Sequence, residues 1–208
     1  MIEDAYQTLA EEAQAELKVK GSRFLGFAAP AADKTAAEAY IGGLRKRFFD
    51  ATHHCFAYRC GSGSDACSRF SDDGEPSGTA GKPILQVITG RSFTDVIVVV
   101  VRYFGGTKLG TGGLARAYAE AAALVLDQTL PVTRYLCQQL DLQFSYEQLS
   151  HVMPSLERHH ADIVVPDYGA AVHLVVRVRL GEMASLQREL VDKTHGQIVM
   201  ALPTTEEE

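Results

Sequence analysis

Six consecutive apolar residues, 96–101 (VIVVVV), constrain the fold more than any other feature of the chain. β-Branched side chains favour strands, and an apolar run without alternation predicts a strand that is buried on both faces. Glycine-rich, charged segments flank this run at residues 71–83 and 102–118. Glycine inside regular structure costs about 0.5–1 kcal/mol relative to alanine, so this density indicates unusual backbone angles or the close approach of a partner. We therefore expect a functional surface at the ends of a buried strand.

The dipeptide Leu130-Pro131 marks the expected boundary between two domains, residues 1–130 and 131–208. In the second domain the apolar periodicity predicts the order strand, helix, strand, strand, helix, strand, which is typical of a ferredoxin-like fold. In the first domain, residues 35–38 have the form of a capping box that opens a helix, and a later helix is expected from Gly113. The sequence therefore predicts an α+β protein made of two α/β sandwich domains.

The charge of the chain argues against bulk binding of nucleic acid but is compatible with a local site. The formal net charge is −6 over 208 residues. Residues 1–130 hold 14 Lys and Arg against 15 Asp and Glu, whereas residues 131–208 hold 6 against 11. A basic patch that contacts a few phosphates is therefore expected only in the first domain.

The sequence also bears on location and on covalent chemistry. No apolar run approaches the roughly 20 residues of a membrane span. The first residues, MIED, lack the basic and apolar regions of a signal peptide. We therefore expect a cytoplasmic protein with no membrane contact, whose four cysteines, at positions 55, 60, 67 and 137, are free thiols.

The turn between the buried strand and the following helix, residues 105–113 (GGTKLGTGG), is the first candidate site. Unpaired backbone N–H groups at a helix start, together with the helix dipole, favour an anion. Lys108 in the turn, with Arg102 and Arg116 beside it, adds positive charge, so we expect a phosphate of RNA or of a small ligand here. A structural turn and a nucleotide site are the alternatives. Standard nucleotide motifs do not match, because Thr111 occupies the position where a P-loop requires lysine.

The second candidate is the loop that contains the carboxylates Asp72, Asp73 and Glu75. Such a group could hold Mg²⁺. Ion pairs with nearby arginine or lysine side chains, which would order the loop, are the favoured alternative, and contact with a partner is the third. Ser77 and Lys82 follow in the same segment and complete its polar candidates.

The third candidate is the group His53, His54 and Cys55, with Cys60 and Cys67 further along the chain. On a strand, the first and third of these residues share one face, while His54 and Cys60 point to the other. One zinc ion could not collect them all, and their spacings are not those of zinc fingers. A nucleophilic pair of His53 and Cys55 is conceivable, and a half-buried structural pair is the favoured alternative.

Residues 72–84 (DDGEPSGTAGKPI) and 99–118 (VVVRYFGGTKLGTGGLARAY) closely resemble the IMPACT family. Residues 52–55 (THHC) and 20–24 (KGSRF) resemble two further motifs of this family, so the resemblance covers the chain from residue 18 to about residue 130. The second domain resembles that of the bacterial members. This resemblance implies a first domain similar to domain IV of elongation factor G and a ferredoxin-like second domain similar to its domain V.

The resemblance also implies a translation-associated regulatory protein, since eukaryotic members compete for a ribosome-associated activator of a starvation-sensing kinase. We expect contact with RNA, the ribosome or a ribosome-associated protein, and neither a cofactor nor a metal. The residues expected to bind are His53, Asp73, Glu75, Ser77, Lys82, Arg102, Lys108, Thr111 and Arg116.

Two other functions are compatible with the same residues. The first is a hydrolase of a phosphorylated or peptide-like substrate, with Asp73, Glu75 and Lys82 in its site and Cys55 as a further candidate. The second is a protein-interaction module whose binding depends little on salt. Nothing in the sequence indicates an oligomeric state.

Overall fold

The computed structural model describes residues 4–61 and 66–202 and shows an α+β protein with several sheets. Within these residues the chain forms two compact units, one of residues 6–134 and one of residues 4–5 and 135–202. The division falls between Arg134 and Tyr135, shortly after the boundary expected at Leu130-Pro131. None of the described helices has the length and apolar character needed to cross a bilayer.

The unit of residues 6–134 is built around an antiparallel sheet. Its strands are β1 (Ala5–Leu9), β2 (Ala13–Val19), β3 (Ser22–Pro30), β4 (His53–Cys60), β5 (Cys67–Ser71), β6 (Val96–Tyr103) and β7 (Pro131–Tyr135), and its helices are α1 (Lys34–Arg47), α2 (Gly81–Gly90) and α3 (Gly110–Asp127). Five strands form the sheet in the order β2-β3-β6-β4-β5, and β1 pairs separately with β7.

Strand β6 lies in the middle of the five-stranded sheet and is buried on both faces, which confirms the prediction from the apolar run. The even-numbered residues of 96–101 pack into the core that contains side chains of α2 and α3, and the odd-numbered residues pack into the core that contains side chains of α1. Each fully buried valine or isoleucine contributes about 1.5–3 kcal/mol. Burial on both faces is usual for parallel sheets; here helices cover both faces of an antiparallel one.

Two helix starts differ from the expectation. Helix α1 begins at Lys34, and its cap is Asp33, whose Oδ1 accepts the N–H of Ala36 at 2.8 Å. The capping box expected at residues 35–38 is therefore wrong, because the carboxylate of Asp33, two residues before Thr35, caps the helix. Helix α3 begins at Gly110 instead of Gly113. Its first three residues are exposed, and the turn forms there despite the low helix propensity of glycine.

The second unit confirms the predicted order of elements. It contains β8 (Cys137–Phe144), a 3-10 turn (Tyr146–Gln148), α4 (Leu149–Arg158), β9 (Asp162–Tyr168), β10 (Val172–Arg179), α5 (Leu180–Lys193) and β11 (Val199–Ala201). The four strands form an antiparallel sheet in the order β11-β8-β10-β9. The order of elements and of strands is that of a ferredoxin-like fold.

Candidate functional site

The two glycine-rich segments meet at a cleft near the carboxyl end of β6, where α3 begins. The cleft has a volume of about 340 Å³ and is lined by Glu75, Pro76, Arg102, Phe104, Lys108, Leu109, Gly110, Thr111 and Leu114. We call it the α3 cleft. It brings together four of the residues that the sequence singles out for binding, which are Glu75, Arg102, Lys108 and Thr111.

A larger cavity, of about 560 Å³, lies beside α1. Its lining includes Gln14, Phe27, Tyr40 and Arg47 and contains none of the expected binding residues. The guanidinium of Arg47 stacks over the ring of Phe27 at 5.9 Å, so its charge already has a partner. The α3 cleft is the stronger candidate site, because it combines open backbone donors with Lys108, a cation that pairs with no acidic side chain in residues 4–61 or 66–202.

Asp72 organises the first glycine-rich segment around its own carboxylate. Its Oδ1 accepts the N–H groups of Ala80 and Gly81, both at 2.9 Å, and its Oδ2 accepts that of Gly78 at 2.8 Å. The segment passes so close to β5 that a Cβ on Gly81 would lie 2.7 Å from the backbone of Ser71. Burial raises the pKa of Asp72, but the three N–H bonds outweigh it and hold the pKa below its usual value. Both oxygens are thus engaged in holding the loop.

We expect Asp72→Asn to lower the free energy of unfolding by about 2 kcal/mol at pH 7, because an amide group would then face a backbone donor and the charge would be lost. The folded-state pKa lies below the ordinary 3.8, so the contribution of the carboxylate is complete above that value and is lost as the pH falls through the folded-state pKa. In urea unfolding, the difference between wild type and variant should shrink below about pH 4. A difference that stays constant from pH 7 to pH 3 would contradict this account.

Asp73 joins the same segment to β4 and α1. Its Oδ2 accepts a hydrogen bond from the backbone N–H of His54 (N to O, 2.6 Å), and its Oδ1 accepts one from Nη2 of Arg45 at 2.7 Å. The residue has a φ of +43°, a left-handed conformation that aspartate adopts more readily than most residues. His53 lies beside it, with Nδ1 2.8 Å from the Asp73 carbonyl oxygen and Nε2 3.8 Å from Oε1 of Glu75. An ion pair with α1 therefore helps to order this loop.

Glu75 and Arg102 form a buried ion pair at the base of the α3 cleft. Their side chains are 4% and 5% exposed, and Nη1 of Arg102 donates to Oε1 of Glu75 at 2.5 Å. Tyr118 donates its hydroxyl to the same oxygen at 2.7 Å, and burial raises the pKa of this tyrosine well above its usual range. Nη2 of Arg102 reaches Oγ of Ser22 at 3.4 Å, while its Nε has no hydrogen-bond partner among the described residues. Arg102 thus lies at the floor of the cleft, and its charge is balanced by that of Glu75.

The first turn of α3 leaves backbone donors open beside this floor. Leu109, at the N-cap position, makes no capping hydrogen bond with its side chain, and the first turn contains no acidic residue. The N–H groups of a first turn lack partners within the helix, and Gly110 and Thr111 both line the cleft. Lys108 is exposed and forms no ion pair with a residue that the structure describes. The dipole and the ammonium together make this side of the cleft attractive to an anion.

Five of the expected binding residues lie outside the lining of the cleft, and two of these, His53 and Asp73, are described above. Ser77, Lys82 and Arg116 are exposed, and none of them borders the cavity. Lys82 and Arg116 pair with no acidic side chain in residues 4–61 or 66–202. They lie on α2 and α3, which pack against each other. Their contacts with a ligand remain predictions.

Cys55, the candidate nucleophile, does not lie in the environment of a reactive thiol. Cys55 is buried, its Sγ donates to the carbonyl oxygen of Asp72 at 3.0 Å, and burial raises the pKa of its thiol above the usual range. A thiol in that state is not ionised at neutral pH. Cys60 belongs to the core on the other face of the sheet, as strand alternation predicts. All four cysteines are free thiols, and the described residues contain no cluster of three side chains suited to a metal ion.

Two residues of the site escape prediction from the sequence. Tyr118 falls on the apolar face of α3, and the only signal is that a buried tyrosine hydroxyl requires a partner. Phe104 directly follows the apolar strand, yet it is 48% exposed and lines the cleft. An aromatic residue at a strand end, followed by two glycines, is the signal available for it.

Comparison with known proteins identifies relatives of both units. A model described as the Impact N-terminal domain matches residues 20–126, and a domain of unknown function (DUF1949) matches residues 142–197. "IMPACT family member YigZ" of Escherichia coli (strain K12) is 36% identical over 182 residues, which cover 87% of this chain and 89% of that protein. "IMPACT family member YvyE" of Bacillus subtilis (strain 168) is 32% identical over 193 residues, covering 93% and 88%. A crystal structure described as that of a hypothetical protein shares 34% identity with a TM-score of 0.71 and covers 99% of this chain and 100% of its own.

Proposed function

The chain belongs to the IMPACT family, and we propose that it is a translation-associated regulatory protein. We propose that it binds the RNA of the ribosome, or another RNA, through the glycine-rich loops of residues 6–134. The proposed contact is the α3 cleft together with the exposed cations near it. The protein would act in the cytoplasm, where ribosomes are found. As the resemblance to the family implies, we further propose that the two units are similar to domains IV and V of elongation factor G.

The observation that carries the proposal is the chemistry at the start of α3. A first turn without a side-chain cap or an acidic residue lies next to Lys108, which forms no ion pair with the described residues. A phosphate there would accept hydrogen bonds from the backbone and gain the attraction of the helix dipole, which is worth about 0.3–1 kcal/mol near a surface. Because the whole chain carries a charge of −6, such attraction would be confined to this patch.

Binding is favoured over catalysis because the acidic groups of the site are already engaged. Asp72 holds backbone N–H groups, Asp73 holds Arg45 and the N–H of His54, and Glu75 holds Arg102. A general base or a metal ligand would need a carboxylate that is free to meet the substrate. The hydrolase alternative therefore has no observation in its favour.

We expect the double charge reversal Lys108→Glu with Arg116→Glu to release the protein from ribosomal particles without lowering its melting temperature. Both side chains are exposed and pair with no described residue, so the fold loses nothing. Tagged protein from cell lysate is sedimented on sucrose gradients at low and at high salt. The wild type should migrate with ribosomal particles only at low salt. Each lost phosphate contact should also reduce, by about one, the slope of the logarithm of the binding constant against the logarithm of the salt concentration.

Lys34 provides the matched control for this experiment. It is exposed at the first position of α1, three residues after Ala31, whose N–H donates to the carbonyl oxygen of Asp95 just before β6. It therefore lies near the opposite end of β6 from Lys108, and Lys34→Glu should leave sedimentation unchanged. Wild-type protein that stays at the top of both gradients, or a folded double variant that still migrates with the particles, would count against the proposal. Co-migration that is insensitive to salt would favour a protein partner instead.

A further inference from the structure

A series of side-chain contacts runs from the core to the α3 cleft through Tyr118, Phe24, Arg102 and Phe104, and we call this series the column. Tyr118 contacts Phe24 edge to face, with ring centroids 5.1 Å apart and planes at 89°. The guanidinium of Arg102 lies 5.3 Å from the centroid of Phe24 and 5.5 Å from that of Phe104. Each layer thus contacts the next through a π face or a ring edge.

The outer end of this column is open. Phe24 and Tyr118 are completely buried and Arg102 is 4% exposed, whereas Phe104 is 48% exposed and forms part of the cleft wall. The chain therefore keeps a large apolar ring half in water at the point where two glycine-rich segments meet. A planar group placed on the ring would continue the column and remove apolar surface from water.

The rest of the cleft supplies the second half of a recognition site. Beside Phe104 lie the apolar walls Leu109 and Leu114 and the polar groups Lys108 and Thr111. The volume of about 340 Å³ falls at the small end of the usual range for ligand pockets. In the floor, the Nε of the nearly buried Arg102 lacks a hydrogen-bond partner among the described residues. The cleft thus combines an aromatic shelf with an anion-attracting rim.

From this arrangement we infer that the α3 cleft receives one unpaired nucleotide of an RNA strand, with its base stacked on Phe104 and its phosphate directed to Lys108 and the start of α3. This inference rests on the proposed function and names the form of RNA that the site takes. A base inside a duplex is already stacked on both faces and cannot reach the shelf, whereas an unpaired base can. Any base can stack on an aromatic side chain, so the site distinguishes single-stranded from double-stranded RNA but does not read the base sequence.

The test is direct binding, measured by fluorescence anisotropy at low salt. The probes are a fluorescein-labelled ten-nucleotide RNA of mixed sequence and a duplex of the same length. Phe104→Ala should weaken binding of the single strand roughly tenfold or more, and Phe104→Leu nearly as much, since leucine fills space without a π face. Binding of the duplex should not change. Phe70→Ala is the control, because Phe70 is 45% exposed on β5 and does not line the cleft.

Competition separates the base from the phosphate. Adenosine monophosphate should displace the labelled strand, whereas ribose 5-phosphate at the same concentration should not. Equal competition by the two compounds, or an unchanged affinity in Phe104→Ala, would overturn the inference that a base stacks on Phe104. Either result would leave the proposed contact with phosphate intact. If neither RNA binds at low salt, the inference fails. The gradient experiment with Lys108 then decides separately whether the protein contacts ribosomes through another partner.

Discussion

Replacing Gly105 by alanine is expected to lower the free energy of unfolding of residues 6–134 by at least about 3 kcal/mol. A Cβ at this position would lie 1.9 Å from the carbonyl carbon of Gly21 and 2.2 Å from its oxygen and from the nitrogen of Ser22. All three atoms belong to the backbone, so no change of side-chain rotamer can relieve the clash. Two backbone segments would have to separate.

Separation would itself be costly, because both segments are held in place. Gly21 has a φ of +83° in the turn between β2 and β3, and the N–H of Gly105 donates to Oγ of Ser22 at 3.1 Å. The same hydroxyl receives Nη2 of Arg102. Moving the loop away from the turn would break this bond and displace the segment that carries Lys108. The variant should therefore lose affinity for RNA as well as stability.

Gly112→Ala provides the control within the same loop and helix start. Apart from its chain neighbours and the backbone of its own helix, no atom of the described residues would lie within 4 Å of its Cβ, and alanine is a better helix former than glycine by about 1 kcal/mol. Urea unfolding, followed by circular dichroism, should show Gly112→Ala to be at least as stable as the wild type and Gly105→Ala to be much less stable. Equal midpoints for the two variants would refute the close contact between the loop and the β2–β3 turn.

The sequence predicts the features that depend on local pattern. The burial of β6 follows from residues 96–101 alone, and the order of elements in residues 135–202 follows from their apolar periodicity. A turn that carries a lysine between the buried strand and α3 follows from the glycines and the lysine placed after that strand, and its attraction for an anion stays a prediction. Each of these features is decided by neighbours in the chain.

The remaining features of the site depend on pairing between distant residues. The contact of Gly21 with Gly105 exists because β3 lies beside β6 in one particular register. Arg102 reads in the sequence as a cation that flanks a loop, yet the fold buries it against Glu75, 27 positions earlier in the chain. Neither the register nor this partner is encoded in a local pattern. Phe104 gains its place above Arg102 for the same reason.

The buried pair of Glu75 and Arg102 leads to the second large effect. We expect Glu75→Ala to lower the free energy of unfolding by about 3–5 kcal/mol, because it leaves a buried guanidinium without its carboxylate. It also removes the acceptor of the Tyr118 hydroxyl. The exposed pair of Glu16 and Arg23, at 2.8 Å, is the control, and Glu16→Ala should change stability only slightly because solvent screens that pair.

A double-mutant cycle separates the pair from the rest of the site. Arg102→Met removes the charge and keeps much of the side-chain volume, and Glu75→Gln keeps an acceptor for Tyr118. Each single variant leaves one buried charge alone, whereas the double variant leaves none, so it should be more stable than the sum of the single losses predicts. Strict additivity would mean that the two side chains do not interact as the 2.5 Å contact indicates. The double variant would also lack the cation that contacts Phe104, while the net charge of the cleft would stay the same. Weaker binding of single-stranded RNA by this folded variant would therefore show that the contact with Arg102, and not the net charge, positions Phe104 for stacking.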